Sequence, residues 1–482
     1  LFRFVFSPYI QLETSKHFKV AKMTALTKDI RLEGLHLILK SWQSLGSLRD
    51  KFVPALINPI MKVLDIRNEA LHHVAVDLFL ASLQHEYATY HTLEKCESVT
   101  QRCIIERTVD DLFRKSFIEG LETRFKTDQE VGPPGYQFLN RLNNMLADVV
   151  KIQQHADNED FKTQACIQVM ESLKNNGNIE LYLKYVHILS DMHLKFGNHI
   201  EAALCLKLHY DTLTWDSSTV LPYFSEQYPE ETAEVRKEKL CKQMIHLYDQ
   251  GKYWEKAIEL CKELRTHYDN TFAYLKIEDV LKDEGSFYTA IMTKKRFGAT
   301  YFYVRYYGLG FKELGLNGEY IYRGKELENH MEFSQKLISK YPGAKIIETK
   351  DANDALDENP GMFLVAYTVI TSDDDEVNNV FRNRDYKISP KISRYHRIND
   401  VKYIISFRSY KLPNANSELE CKDLYRENRF YALEEPFPSI KRRMRAQVTI
   451  SSMTPLEHAI KILEDKVKDL QDFVISHHLD VS

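Results

Sequence analysis

The stretch from 285 to 307, GSFYTAIMTKKRFGATYFYVRYY, divides the chain into a helical part and a sheet part. Apolar residues recur at helical spacing as far as about residue 297. Tyr301 to Tyr307 (YFYVRYY) then has the aromatic-rich composition that favours strands. Glu319 to Tyr322 (EYIY) continues that pattern, and Asn317-Gly318 offers turn chemistry between the two. The chain is therefore predicted to be mainly α with an α+β domain.

Further strand candidates follow the first two. They are Phe363 to Ile370, Val401 to Tyr410, Arg429 to Leu433 and Gln447 to Ser452. One helix is predicted at about Asn329 to Lys340, because Tyr341-Pro342-Gly343 ends its pattern. Residues 300–452 are thus predicted to form one β-rich domain that contains a single clear helix.

Residues 137–297 are predicted to form a tetratricopeptide-like helical array. Gly197, Gly251 and Gly285 each follow an apolar-periodic helix and precede another, and an alanine lies five or six residues beyond each glycine. The 34-residue step from Gly251 to Gly285 is the tetratricopeptide period, while the 54-residue step from Gly197 to Gly251 indicates one expanded repeat. Glycine would make each turn between helices, and alanine would let the next helix pack closely.

Residues 1–130 are also predicted to be helical. Thr27 to Trp42 carries a broad apolar face, and Ala70 to Leu83 repeats the helical period. The segment resembles an α-solenoid of armadillo or HEAT type, whose repeats bury their apolar faces against neighbours. Gly132-Pro133-Pro134-Gly135 is the strongest break in the helical pattern, and it predicts a boundary before the array.

The last predicted element is a helix that begins after Thr454. Thr454-Pro455-Leu456-Glu457 combines an N-cap hydroxyl, a proline at the first helical position and a capping-box glutamate. An apolar stripe follows at helical spacing: Leu456, Ala459, Ile460, Leu463, Val467, Leu470 and Val474. Such a stripe needs a partner surface, which is either a further helical bundle beyond Ser482 or a surface elsewhere in the fold.

Composition limits the function classes. The 482 residues carry 65 Lys+Arg and 69 Asp+Glu, a net charge of −4, which does not fit a dedicated nucleic-acid binder. Length predicts about three domains. The seven cysteines are an odd number and widely spaced, as expected of free thiols in a reducing compartment. With a longest apolar run from Gly361 to Ile370, the chain is predicted to be soluble and cytoplasmic.

Local motifs for covalent, nucleotide or metal chemistry are incomplete. Gly308-Leu309-Gly310 starts like a dinucleotide loop, but Glu313 stands where the third glycine belongs, and the motif is placed between strands. His85 and His91 are six residues apart, which turns them away from each other on a helix. No metal or cofactor is therefore expected, and the sequence points to a protein that works through its surfaces.

The run Lys441-Arg442-Arg443-Met444-Arg445 is the dense basic cluster of the sequence. It fits contact with acidic lipid or an acidic protein patch. The better interpretation is a solvated strand edge that its cations protect from pairing with other chains.

Across about 185–475 the chain resembles the catalytic region of DOCK-family guanine nucleotide exchange factors, the second DOCK homology region. Seven segments carry the resemblance in the order of the family. They are Gly251 to Ile258 (GKYWEKAI), Gly285 to Tyr288 (GSFY), Tyr306 to Phe311 (YYGLGF), Tyr320 to Glu326 (YIYRGKE), Asn359 to Gly361 (NPG), Tyr395 to Val401 (YHRINDV) and Thr454 to Ile460 (TPLEHAI).

The resemblance implies a module of three lobes after an armadillo-like region. Lobe A would be the array 137–297, lobe B the sheet domain 300–452, and lobe C would start with 453–482. Lobe B would hold one switch of a Rho-type GTPase. The matching segments of this lobe are most similar to those of the Rac-directed branches. Lobe C would hold the other switch and insert a valine-bearing sensor loop that expels magnesium and releases GDP. That loop is expected beyond Ser482, so no catalytic residue is assigned, and the chain alone is expected to bind Rac weakly.

Site residues and partners follow from the same resemblance. Phe407, Arg408 and Tyr410 are candidates for the GTPase-facing edge of lobe B, with packing inside the sheet as the alternative interpretation. Helix 329–340 would contribute to a homodimer through lobe B. An ELMO-type adaptor is expected in the full-length protein, though not through this region. Family members of the Rac type often show Tyr-Ser-Arg-Pro where this chain has Ser406-Phe407-Arg408-Ser409, which leaves the GTPase preference open.

Two other functions remain open at the level of sequence. A non-catalytic scaffold built on helical repeats would explain residues 137–297 but not the ordered motifs that follow. An adaptor recruited to the plasma membrane would use Lys441 to Arg445.

Overall fold

The computed structural model describes residues 1–11, 29–105, 113–154, 159–348, 354–371, 392, 395, 398–410 and 423–480. It divides into two compact units, Leu1–Met192 and His193–Ser482. The helical solenoid, the helical array, the β-rich lobe and the start of a further helical element confirm the predicted fold class.

The first unit is built from helices. These are α1 (Phe2–Val5), α2 (Ile30–Ser44), α3 (Arg49–Val63), α4 (Glu69–Tyr90), α5 (Glu94–Ile105), α6 (Gly120–Phe125, after a π-helical turn Arg114–Glu119), α7 (Gly132–Gln154), α8 (Glu159–Asn175) and α9 (Ile179–Lys195), whose last turn enters the second unit. Side chains stabilise several helix starts. Asn68 accepts hydrogen bonds from the first amides of α4, and the buried Glu86 of α4 accepts from the backbone amides of Lys95 and Cys96 at the start of α5.

Gly132-Pro133-Pro134-Gly135 forms the first turn of α7. Prolines fit there because the first amides of a helix have no intrahelical acceptor. The two glycines allow close contact with Phe125, since a Cβ atom on Gly135 would lie 2.6 Å from its ring. The break in the pattern is therefore a tight helix start, not an extended linker.

The second unit opens with four packed helices. After the end of α9 they are α10 (His199–Tyr210), α11 (Ala233–Gln250), α12 (Trp254–Asn270) and α13 (Tyr274–Thr293). The predicted alanines Ala202, Ala257 and Ala290 are all buried, as their role in close helix packing requires. Gly197, with φ of 75°, makes the predicted turn before α10.

Gly285 corrects the predicted repeat spacing. It lies inside α13, so it makes no turn between helices. The turn before α13 instead contains Phe272, whose φ is 54°. Burial of Val280, Phe287 and Ala290 on one face of α13 outweighs the helix-weakening effect of one glycine.

The expanded repeat is explained by an insertion between α10 and α11. Residues 211–232 form it, and the short strands β1 (Val220–Leu221) and β2 (Glu231–Thr232) pair within it. Tyr228, which is buried, packs in the core of the array.

A six-stranded antiparallel barrel follows the array. Its strands, with the short β5 that pairs parallel to β6, are β3 (Ala299–Tyr307), β4 (Gly318–Glu326), β5 (Lys345–Ile346), β6 (Phe363–Thr371), β7 (Val401–Tyr410), β8 (Tyr425–Phe437) and β9 (Arg443–Met453). The order β3-β4-β9-β8-β7-β6 closes because β6 pairs with β3. Within the described ranges, β6 and β7 pair through two residue pairs, Ile370↔Ile405 and Thr371↔Ile404.

Side chains fill both faces of β3. Tyr301 and Tyr303 point into the barrel interior. On the opposite face Phe302 stacks on Phe333 of helix α15 (His330–Lys340), with ring centroids 4.0 Å apart. This helix confirms the predicted one, and Asn329 with Glu332 forms its capping box.

The connection that contains the predicted turn residues Asn317-Gly318 is longer than a tight turn. Strands β3 and β4 are joined by residues 308–317, which include the short helix α14 (Leu309–Glu313), and not by a two-residue hairpin. Gly308 thus precedes a helix after all. Its φ is 98°, and a Cβ atom there would lie 2.0 Å from the carbonyl oxygen of Gly361, so only glycine fits.

The last helix, α16 (Pro455–Asp480), begins as predicted. The Thr454 amide donates to Glu457 Oε2 at 2.8 Å, and the Glu457 amide donates to Thr454 Oγ1 at 3.4 Å. His458 is buried and bonds the Leu424 carbonyl, which anchors the first turn. Beyond that turn, Leu463, Val467, Leu470 and Val474 of the predicted stripe are exposed.

Six cysteines are buried free thiols, in agreement with the prediction: Cys96, Cys103, Cys166, Cys205, Cys241 and Cys261. Cys421 lies outside the described residues. Within the described ranges, no helix is both long enough and apolar enough to cross a membrane.

Candidate functional site

The three predicted site residues lie on β7, on two different faces. Ile404 is buried in the barrel interior, and residues two apart on a strand share a face, so Ser406, Arg408 and Tyr410 continue the interior face past the barrel. Phe407 is on the outer face. It is 53% exposed, and the guanidinium of Arg426 lies 4.0 Å from its ring centroid.

Phe407 and Arg408 line one groove, which we call the seam groove because it opens where β6 and β7 separate. Its volume is about 610 Å³. Its lining residues come from four strands: Tyr303, Arg305, Tyr307, Val365, Tyr367, Thr368, Val369, Ile370, Ile405, Ser406, Phe407, Arg408 and Arg429. Tyr410 is not among them. It lies instead beside Tyr425, with ring centroids 5.8 Å apart.

The floor of the groove is a hydrogen-bonded group of tyrosines. The rings of Tyr303 and Tyr367 stack with centroids 4.6 Å apart. The hydroxyl of Tyr431 is 2.7 Å from that of Tyr367 and 3.0 Å from Ser406 Oγ. Burial raises the pKa of Tyr303 and of Tyr431, so both hydroxyls are neutral at physiological pH and the floor carries no negative charge.

Three arginines line the groove, and two of them are paired with carboxylates outside its lining. The three are Arg305, Arg408 and Arg429, and the described lining contains no carboxylate. Arg429 Nε donates to Glu427 Oε1 at 2.7 Å. Burial opposes the Arg429 charge, but Glu427, Tyr367 and Tyr431 outweigh it and raise the pKa of Arg429 above its usual range.

Arg408 differs from the other two arginines. Arg305 Nη1 donates to Glu319 Oε1 at 3.1 Å, whereas Arg408 is exposed and has no hydrogen bond or ion pair with any residue that the structure describes. Arg305 and Arg429 are functional candidates that no sequence motif predicts. No local pattern relates them to Arg408, because they meet it only when the strands close into the barrel.

A buried ionic cluster connects the array to the barrel. Glu201 of α10 is 1% exposed, and its Oε1 lies 2.5 Å from Nη1 of Arg323 on β4 and 3.3 Å from Nη1 of Arg442. Arg442 also donates to the carbonyls of Arg323 and Gly324. Burial raises the pKa of Glu201, but the charges of Arg323, Arg442 and His193 outweigh it and hold that pKa at about 2.

A second contact between array and barrel is aromatic. Trp254 and Tyr253 of the array are buried, and the ring of Tyr253 lies 5.6 Å from that of Tyr395. The guanidinium of Arg296 lies 5.1 Å from the Trp254 ring and 5.4 Å from the Tyr395 ring, while it donates to both oxygens of Glu255. Several segments that carry the family resemblance therefore fix the array against the barrel.

The basic cluster is not a strand edge. Strand β9 lies between β4 and β8, since Arg443, Met444 and Arg445 pair with Tyr322, Ile321 and Tyr320. Met444 is buried. The guanidinium of Arg443 lies 5.0 Å from the Tyr320 ring, and that of Arg445 lies 5.7 Å from it. Neighbouring side chains and carbonyls thus engage the cations, and the prediction of a solvated edge is wrong.

No group of histidine, cysteine or carboxylate side chains in the described part of the chain could hold a metal ion. What the site offers is a shaped and charged surface on a barrel that is held firmly against the array.

Two family models match the chain. One, described as DHR-2, Lobe A, matches residues 165–293. The other, described as the dedicator of cytokinesis (DOCK) TPR region, matches residues 2–108, where the sequence pattern had suggested armadillo or HEAT repeats.

Similar proteins come from animals and yeast. The chain is 26% identical to dedicator of cytokinesis protein 3 of Homo sapiens, over 98% of this chain and 24% of that protein. It is 26% identical to dedicator of cytokinesis protein 4 of Homo sapiens, over 96% of this chain and 24% of that protein. It is 27% identical to DOCK-like protein 1 of Saccharomyces cerevisiae, over 76% of this chain and 19% of that protein.

The chain spans about a quarter of the length of the first two relatives. The matches to these relatives extend across both compact units. The two family models match parts of the solenoid and of the array. The chain is therefore similar to DOCK-family proteins over almost its whole length.

Proposed function

We propose that this chain is part of a guanine nucleotide exchange factor for a Rho-family small GTPase of Rac type. The match of residues 165–293 to lobe A of the second DOCK homology region supports the exchange activity. The observation that carries the binding surface is that Phe407 and Arg408, on opposite faces of β7, both line the seam groove.

The proposed mechanism is differential binding without a covalent step. A protein that binds the nucleotide-free GTPase more tightly than the GDP-bound form shifts the GTPase toward the empty state, and GDP is released. The partner surface must keep its shape for this, because a surface that adapts equally to both forms gives no preference. Glu201, Arg323 and Arg442 would serve by holding the barrel against the array.

The domain limits of this proposal follow the predicted lobes. Residues 1–130 precede the module, residues 137–297 form lobe A, residues 300–452 form lobe B and residues 453–482 begin lobe C. The exposed apolar stripe on α16 is consistent with a helix that packs in a bundle.

Arg408 and Phe407 are proposed to contact the GTPase directly. Arg408 is exposed and pairs with none of the described residues, so it can give its full donor set to a carboxylate. The guanidinium of Arg426 packs on the Phe407 ring and restricts it, so little side-chain entropy is lost when a partner covers Phe407. Tyr410 is proposed for a lesser role at the end of the strand, since it lies outside the groove.

The test is binding of the chain to nucleotide-free Rac by surface plasmon resonance. Arg408→Ala and Phe407→Ala should each weaken binding at least tenfold, which is about 1.4 kcal/mol. Lys312→Ala removes an exposed cation elsewhere on the barrel and should change the affinity less than twofold. Equal affinities for all four proteins would refute the assignment of this surface.

A homodimer through α15 is a further part of the proposal. Phe333 and Leu337 face the barrel, whereas Met331 and Ile338 are exposed on the other side. Met331→Glu should therefore lower the molar mass measured by light scattering from that of a dimer to that of a monomer. An unchanged mass would exclude this helix from a dimer interface.

A further inference from the structure

The seam groove borders a strand edge that, for half its length, pairs with no strand that the structure describes. Strand β7 pairs with β8 from Tyr403 to Tyr410 on one side. On its other side it pairs with β6 only through Ile404 and Ile405. Among the described residues, the edge from Ser406 to Tyr410 therefore pairs with no strand. Alternate residues of such an edge present amide and carbonyl groups to an incoming strand.

The opposite wall of the groove is less available. On β6 the carbonyl oxygen of Ala366 already accepts a hydrogen bond from Nε2 of His330 at 2.9 Å. A strand that enters the groove would thus add to β7, and β6 and β3 would contact its side chains.

The two faces of β7 require different side chains from that strand. Next to the interior face lie Arg408, Arg429 and the hydroxyl of Ser406. Next to the outer face lie Ile405 and Phe407. Because neighbouring strands align their alternating side chains, the added strand would place acidic residues on the first face and apolar residues on the second.

The charge of the groove favours such a ligand. The chain as a whole has a net charge of −4, yet the described lining of the groove contains three arginines and no carboxylate. Glu427 and Glu319 pair with Arg429 and Arg305 and orient them, while Arg408 pairs with no residue that the structure describes. An anionic segment would find donors that are already held in place.

We infer that the seam groove binds an extended peptide segment of a partner protein in which acidic and apolar residues alternate, by adding it as a strand to Ser406–Tyr410. Main-chain hydrogen bonds to β7 give affinity, and the arginines and Phe407 select the sequence. This is a site for a linear segment, and its occupation does not require a GTPase.

The test uses fluorescence polarisation of a labelled peptide of about eight residues with alternating valine and glutamate, added to the whole chain without any GTPase. Saturable binding is expected. Arg408→Gln and Arg429→Gln should each weaken it at least tenfold. Lys402→Gln, which removes an exposed cation from the same strand outside the groove, should change it less than twofold. Arg408 has no described partner to lose, so its variant should fold normally.

Three further peptides separate strand addition from attraction between charges. The same residues in two blocks, valine and lysine in alternation, and the original peptide with every second amide methylated should each bind at least tenfold more weakly. Binding of the block or methylated peptide at the original affinity would overturn the inference, as would the absence of saturable binding. Because no GTPase is present, these outcomes are independent of whether the chain promotes exchange.

Discussion

Replacement of Glu201 by glutamine should loosen the connection between the helical array and the barrel. Glu201 is buried between Arg323 and Arg442, and glutamine keeps its shape while it removes its charge. Two guanidinium groups would then lack their anion. Removal of one partner from a buried ion pair is among the most destabilising single changes.

The loss of stability caused by Glu201→Gln can be worked out from the pKa of Glu201. Folding lowers that pKa from 4.5 to about 2, and each pKa unit corresponds to about 1.4 kcal/mol. The carboxylate therefore contributes on the order of 3 kcal/mol at neutral pH. Because the folded-state pKa is lowered, this contribution is complete above about pH 4.5 and is lost as the pH falls toward 2. The effect of Glu201→Gln should thus be constant between about pH 5.5 and 8.

Hydrogen–deuterium exchange read by mass spectrometry locates the effect. Peptides from α10 and from the region around Arg442 should lose about hundredfold in protection, because 3 kcal/mol corresponds to a factor of that order. The control is Glu326→Gln, which removes an exposed ion pair with Lys252 and should change protection only a few-fold. Equal effects of the two variants, or a loss that varies between pH 5.5 and 8, would refute the reasoning.

Three other changes test the packing of the second unit. Burial lowers the pKa of His193 despite the nearby Glu201, so the folded protein loses stability as the pH falls below about 6.5. His193→Asn should therefore reduce the drop in melting temperature between pH 7.5 and 5.5. An unchanged drop would contradict this. Gly308→Ala should lower the free energy of unfolding by about 3 kcal/mol or more, because its Cβ would lie 2.0 Å from a carbonyl oxygen. Gly315→Ala, at φ of 72° with open space around the Cβ position, should lower it by about 1–2 kcal/mol. Equal losses in thermal unfolding would contradict the contact at Gly308. Gly285→Ala should stabilise by about 0.5–1 kcal/mol, since Gly285 lies in a helix with no atom near its Cβ position, and a lower melting temperature would refute that placement.

The periodic parts of the fold could be predicted from the sequence. The change of period before Tyr301 located the barrel, and the Thr454 capping box located the start of α16, because both signals are local. Gly285 misled the prediction of the repeat, since packing of one helix face overrides a single weak residue. Asn317-Gly318 does lie in the connection between β3 and β4, but turn chemistry does not reveal that a helix precedes it there.

The candidate site was only partly accessible to sequence reasoning. Arg408 was found through the family resemblance. Arg305 and Arg429 were not, because they become its neighbours only through the register of β3, β7 and β8. The basic cluster shows the same limit. A run of cations looks like a solvated surface until the pairing of β9 with β4 places Tyr320 beneath two of them.

The central claim is that this chain prefers a GTPase that has lost its nucleotide. The most direct measurement compares the dissociation constants of the chain for nucleotide-free Rac and for GDP-bound Rac under the same conditions. We predict at least tenfold tighter binding to the nucleotide-free form, since only such a difference can drive GDP release. Equal dissociation constants would contradict the account.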